Sequence, residues 1–222
     1  MSRLVVKVGG AVAGEAVDHV NRLLAAGHSL CLVHGAGPQI SREMERAGIA
    51  IEFVDGRRVT TAEGIAVVRS TLAAVNAAIC AAIGPRALPL HGEEIGLEAT
   101  PVPELGLVGD PVPCAPEAVL AALADGLVPV VSPLAVGPLN VNADEAAAAL
   151  ALGLHAERLL FLTDVAGLIL DGEVVEEIGV EAATSLLRGG SLRGGIVPKL
   201  GAALTAARGG VPASIGRTAV AV

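Results

Sequence analysis

Two lysines stand apart in a chain that otherwise avoids them. Of its 15 basic residues 13 are arginine, and only Lys7 and Lys199 are lysine. An ammonium is a compact point charge with rotatable donors, whereas a guanidinium is a broad planar fork, so a tight anion site can require one and reject the other. Both lysines adjoin glycines, in Lys7-Val8-Gly9-Gly10 and in Gly194-Gly195-Ile196-Val197-Pro198-Lys199. Glycine leaves backbone N–H groups bare enough to approach phosphate oxygens. A third turn, His34-Gly35-Ala36-Gly37-Pro38, leads into a helix start, where unpaired N–H groups and the dipole favour an anion. Each turn alone is ordinary. None is a Walker loop, and no GxGxxG string opens a helix.

Two further clusters carry polar groups beyond what a cap needs. Asn140-Val141-Asn142-Ala143-Asp144 sets two amides and an acid before a helix, and Thr163-Asp164 closes a strand. His34, at a strand end, reads as a structural hydrogen-bonder rather than a base. The other histidines (His19, His28, His91 and His155) have no partner pattern.

The elements that must position these residues alternate. β-branched or apolar runs at 3–8, 29–33, 127–131 and 158–163 read as strands. Helical spacing appears at 15–26, 38–47, 61–82 (capped by Thr60 or Thr61), 116–124, 143–154 and 196–208. Residues 86–110, rich in Pro and Gly, read as a hairpin and loops, and Asp171-Gly172 as a tight hairpin turn. Strands alternating with helices predict an α/β fold whose mainly parallel sheet is covered on both faces. One domain over 1–222 is expected, with an N-terminal lobe to about residue 135 and a C-terminal lobe from about 136.

Composition excludes several classes. The net charge of −8 argues against a phosphate backbone as partner, and with no Trp or Tyr and two Phe, aromatic base stacking is nearly impossible. No apolar run reaches the length of a membrane span, and the chain enters a strand at once, without room for a signal peptide. Cys31, Cys80 and Cys114 lack paired or metal-ligand spacing and read as small buried apolar residues. These features predict a cytoplasmic protein without nucleic-acid or membrane partners.

The ordered set VKVGG, VHGAGPQI, FVDGRRVTTAE, LNVNADEAAAALA, LLFLTDVAGL and GGIVPK resembles the amino acid kinase family over roughly residues 3–212. Within it, the resemblance is to members that phosphorylate N-acetyl-L-glutamate in arginine biosynthesis. It implies a three-layer αβα sandwich, ATP with Mg²⁺ as co-substrate, no metal ligand set on the protein, and a homodimer. It also implies that Lys7 and Lys199 hold the transferring phosphoryl group and that Asp144 orients both. Gly9, Gly10, Gly35, Ala36 and Gly37 would line the phosphates, and Arg58 and Asn140 would grip the acceptor's α-carboxylate side. Thr163, Asp164, Gly194 and Gly195 would face the nucleotide. The chemistry agrees: phosphoryl transfer rests on positioning and electrostatics, and a carboxylate acceptor is ionised already and needs no general base.

The chain departs from the family pattern at four places. Ala36 replaces a glycine in the phosphate turn. Arg57 stands where an apolar residue is common; it either adds a second carboxylate contact or points to solvent, and solvent is the favoured reading. The last turn runs almost directly to Val222, predicting an open nucleotide rim. No helix precedes the first strand, which predicts a dimer that free arginine does not inhibit. Two alternatives stay open: a kinase for a carrier-bound aminoadipate or glutamate, and a non-catalytic small-molecule sensor.

Overall fold

The computed structural model describes residues 2–9, 14–163 and 166–221. Gly10 and Asp164 lie outside them. The chain begins β1 (Arg3–Val8), α1 (Gly14–Ala25), β2 (Ser29–His34), α2 (Gly37–Arg46), β3 (Phe53–Val54), β4 (Arg57–Arg58) and α3 (Ala62–Ile83). It continues β5 (Ala87–His91), β6 (Ala99–Pro101), β7 (Gly109–Pro111), α4 (Glu117–Ala124), β8 (Val128–Ser132), β9 (Leu134–Ala135), β10 (Leu139–Asn140) and α5 (Ala143–Gly153). Next come β11 (Arg158–Phe161), β12 (Ile169–Leu170), β13 (Glu173–Val174), β14 (Glu177–Gly179) and α6 (Val180–Gly189). The last elements are α7 (Ile196–Arg208), β15 (Ala213–Ile215) and β16 (Thr218–Ala221).

Among the described residues eight strands form the central sheet in the order β14-β16-β15-β11-β1-β2-β8-β5, with β15–β16 its one antiparallel pair. A strand buried on both faces has no polar side, which is why Leu30-Cys31-Leu32-Val33 reads as a continuous apolar run. Alternate residues serve two cores. Leu4, Val6, Leu30 and Leu32 pack with α1, α2 and α3, while Val5, Cys31 and Val33 pack with α4, α5 and α7. This is the expected αβα sandwich, and the two cores follow the faces of the sheet rather than successive halves of the chain.

Local chemistry sets the helix starts that matter. The Thr61 side chain accepts from the Gly64 N–H at 3.0 Å and begins α3. The Asn142 amide oxygen accepts from Asp144 N–H at 2.8 Å and Glu145 N–H at 3.3 Å, fixing the first turn of α5.

Four expectations need correction. Residues 87–91 are a parallel edge strand of the main sheet, not part of a hairpin; only β6–β7 makes one in that stretch. Helix α6 was not anticipated, although Val180, Ala183 and Leu187 carry helical spacing. Helix α3 is long and apolar enough, by length and composition, to cross a bilayer. In the fold its Val68, Leu72, Val75 and Ile79 pack against the sheet and α2. Finally, Cys31 is fully buried, but Cys80 and Cys114 are only half-buried.

Candidate active site

Strand β1 runs through the middle of the sheet, paired on both sides by β11 and β2, and ends at the site, so Lys7 is carried on an interior strand. Its ammonium lies 2.8 Å from Asp144 Oδ1, with both side chains less than a tenth exposed. Lys199, in the first turn of α7, approaches the other oxygen, Oδ2, at 3.5 Å. One carboxylate thus stands between the two lysines of the chain. Burial holds the Lys7 pKa below the ordinary lysine value, Asp144 opposes that shift, and Lys199 adds to it.

A cavity of about 190 Å³ opens from this pair toward α2 and the β3–β4 hairpin. That is below the roughly 300 Å³ minimum of pockets for drug-sized ligands and suits a molecule the size of an amino acid. Lys7, Asp144, Gly35, Ala36, Gly37, Arg58 and Asn140 all line it. Arg58 is 6% exposed and donates to the Gly37 carbonyl (3.1 Å) and the Ser41 hydroxyl (2.8 Å), with its guanidinium 4.6 Å above the Phe53 ring. Both oxygen partners are neutral. Among the described residues no carboxylate pairs with Arg58, and burial lowers its pKa. A buried cation without a counter-ion is costly unless an anion completes it. Asn140 donates to Thr60 Oγ1 at 3.0 Å, which turns its amide into the cavity wall.

Helix α2 starts without a side-chain cap, and among the described residues no backbone acceptor takes the N–H groups of Ala36 and Gly37, which line the cavity. Gly35 differs from expectation. Its N–H donates to the Val8 carbonyl at 3.1 Å, extending the β1–β2 ladder, so it is not among the free donors. Helix α7 also starts uncapped, at Gly195. Gly194, Gly195, Thr163 and Lys199 are outside the cavity lining, and Lys199 reaches the centre through Asp144. Gly9 lies at the end of β1, open enough that a Cβ would touch nothing.

His34 is fully buried, bonded through Nε2 to the Asn76 amide at 3.3 Å, and burial pushes its pKa down to about 4. It is a structural group. Arg57 corrects its expectation outright: rather than facing solvent, it pairs with Glu145 and Asp110. Sequence reasoning also missed Ser41, Thr60, Asp110 and Glu145, whose roles depend on contacts between distant segments.

Three cations against one buried carboxylate, beside uncapped helix N-termini on an αβα sheet, define a protein built to bring anions together. The chain belongs to the amino acid kinase family, whose model matches residues 2–217. It is 40% identical to the acetylglutamate kinase of Rubrobacter xylanophilus, over 97% of this chain and 88% of that one. It is 44% identical to the acetylglutamate kinase of Nocardioides sp., over 94% and 75%. Among solved structures, smu.665 from Streptococcus mutans UA159 superposes with a TM-score of 0.87 at 24% identity, over 99% of this chain and 98% of that one. Carbamate kinase from Giardia lamblia bound to AMP-PNP gives 0.70 at 17%, over 99% and 98%. These two likenesses speak to the fold alone.

Proposed function

We propose that this protein transfers the γ-phosphoryl group of ATP to the side-chain carboxylate of N-acetyl-L-glutamate, forming an acyl phosphate. The observation that carries this reading is the pairing of an uncompensated Arg58 in a small cavity with two lysines converging on Asp144. The acceptor's α-carboxylate completes Arg58, with Asn140 beside it, and its side chain points toward Lys7. Being ionised at neutral pH, that carboxylate attacks directly, and no base is needed. The γ-phosphorus–oxygen bond to ADP breaks as the new bond to the carboxylate oxygen forms. Lys7 and Lys199 stabilise the charge on the equatorial oxygens, and Asp144 holds both ammonium groups where that charge develops. The Ala36 and Gly37 N–H groups offer further donors to phosphate.

Among the described residues no cluster of three or more His, Cys, Asp or Glu could hold a metal, and Asp144 is engaged by both lysines. Mg²⁺ is read here as the companion of ATP, expected from the chemistry of phosphoryl transfer, and no step is routed through it. The acceptor is read as held mainly by residues before about 135, and the nucleotide by those after, around Gly194, Gly195 and Thr163. A homodimer is inferred through the open edge of β5 and the small outward residues of α3 (Ala66, Ser70, Ala74 and Ala77), since an uncovered edge strand invites pairing. Free cysteines fit a reducing, cytoplasmic compartment.

The test is hydroxylamine trapping of the acyl phosphate with N-acetylglutamate, N-acetylaminoadipate, glutamate and aspartate as acceptors. Turnover on N-acetylglutamate well above the others is expected. Preference for another acceptor overturns the reading, and silence on all four overturns it in favour of a carrier-bound acceptor or a sensor.

A further inference from the structure

The β3–β4 hairpin roofs one side of the acceptor cavity, yet its backbone is nearly unsupported. It turns through Asp55 and Gly56, at φ +49° and +80°, and among the described residues pairs only with itself, Phe53 with Arg58 and Val54 with Arg57. Backbone bonds to the rest of the fold begin at Thr60, which bonds to Leu105 and Leu107. An isolated two-stranded hairpin is marginal in water, and Phe53 and Val54 gain little from burial, at 53% and 40% exposed. Side chains must hold it.

Neighbouring residues on a strand project to opposite faces, and here the two arginines anchor the hairpin in opposite directions. Arg58 reaches α2. Arg57 reaches across to Glu145 on α5, donating from Nε at 3.3 Å and Nη2 at 2.9 Å to the same oxygen, while its Nη1 pairs with Asp110 on β7. Glu145 follows Asp144 in the one helical turn that Asn142 caps. The turn that organises the two lysines therefore also holds the acceptor-side hairpin. A second cavity, of about 350 Å³, lies between α5 and α7 behind this pairing, so no packed side chains would replace the ion pairs if they were lost.

We propose that Arg57, Asp110 and Glu145 form an ionic latch that holds the β3–β4 hairpin to α5 and thereby keeps Arg58 set for the acceptor's carboxylate. Arg57 is a positioning residue: it acts through Arg58. The proposal rests on the functional reading above only for the identity of that carboxylate. The pairs are about one-quarter exposed on the Arg57 and Glu145 side chains, so salt weakens the latch.

The experiment has two arms on the full chain. Without substrate, amide exchange at 53–58 is compared in wild type, Arg57→Leu, Asp110→Asn and Glu145→Gln. Exchange faster by about tenfold in Arg57→Leu, with smaller increases in the other two and no change in α5, supports the latch. Unchanged hairpin exchange overturns it, whatever the acceptor proves to be. With substrates, Arg57→Leu raises the acceptor KM by about tenfold, leaves kcat and the ATP KM within about twofold, and is partly rescued by Arg57→Lys. Added salt raises the acceptor KM of wild type but not of Arg57→Leu. An equal rise in the ATP KM, or wild-type insensitivity to salt, sinks the proposal. If N-acetylglutamate is not turned over at all, the functional reading fails and the exchange arm alone judges the latch.

Discussion

In the reading proposed above, the acceptor end and the nucleotide end of the site share one carboxylate but are built differently. Lys7 sits on a central strand, 2.8 Å from Asp144, and Arg58 is locked to α2. Lys199 rides on the uncapped first turn of α7, its ammonium 3.5 Å from both Asp144 and the Gly195 carbonyl. The first arrangement is part of the folded core, whereas the second is a side chain leaning on it. Charge fixed in advance favours a small acid whose own contacts are too few to reorganise a site. A triphosphate has many charges with which to draw a loosely held ammonium into place.

The largest effect that tests this contrast comes from the lysines. Lys7→Ala and Lys199→Ala are each expected to lower kcat by about 10³-fold, because in the proposed reading each removes a cation from the phosphoryl group. Their stabilities should differ. Lys7→Ala leaves Asp144 buried beside only its more distant partner, and breaking a buried pair costs about 3 kcal/mol, or roughly 6–12 °C in Tm for a chain of this size. Lys199→Ala should shift Tm by no more than about 2 °C. Equal losses of stability would mean that the two ends are equally built in.

A smaller effect belongs to Arg58. Replacing it with lysine keeps the charge but not the fork that spans Gly37, Ser41 and a bound carboxylate. The acceptor KM is expected to rise by about 30-fold with the ATP KM unchanged, a loss on the order of 2 kcal/mol. Steady-state kinetics in both substrates checks it, and a matching change in the ATP KM would erase the division between the ends.

The sequence made one part of this contrast visible. Lys7, Lys199 and Asp144 stood out because lysine is rare in the chain and acid-plus-amide clusters exceed the needs of a cap. The central strands and most helices were legible because period and punctuation are local properties. Strand β5 was not, since Pro89 and the flanking Gly and Pro mimic a loop, and only pairing with β8 makes 87–91 a strand. Arg57 was misread for the same physical reason: its partners come from β7 and from α5, 88 residues away for Glu145, and no local pattern records such a meeting. Gly35 looked like a phosphate donor until the ladder to Val8 claimed its N–H.

The smallest effect is on stability and separates the ends by pH. His34 closes β2 just before the turn that lines the acceptor cavity, buried and bonded to Asn76, which also donates to the Val130 carbonyl at 2.8 Å. Its folded pKa, about 4, lies below the unfolded value near 6.5, so the unfolded chain binds more protons between the two. The neutral imidazole therefore contributes its full stability above pH 6.5, and that contribution is lost as pH falls through about 4. The loss is on the order of 3 kcal/mol when complete. His34→Gln can still hydrogen-bond to Asn76 but cannot titrate, so its stability between pH 7 and 4 should fall less steeply than that of wild type, whatever its level at pH 7. Denaturant unfolding across that range reads the slope directly. Because the histidine supports the Gly35–Gly37 turn and not α7, amide exchange in wild type at pH 5 should quicken around residues 34–40 before it does in 196–208. Uniform acceleration would show that the acceptor end has no separate acid sensitivity.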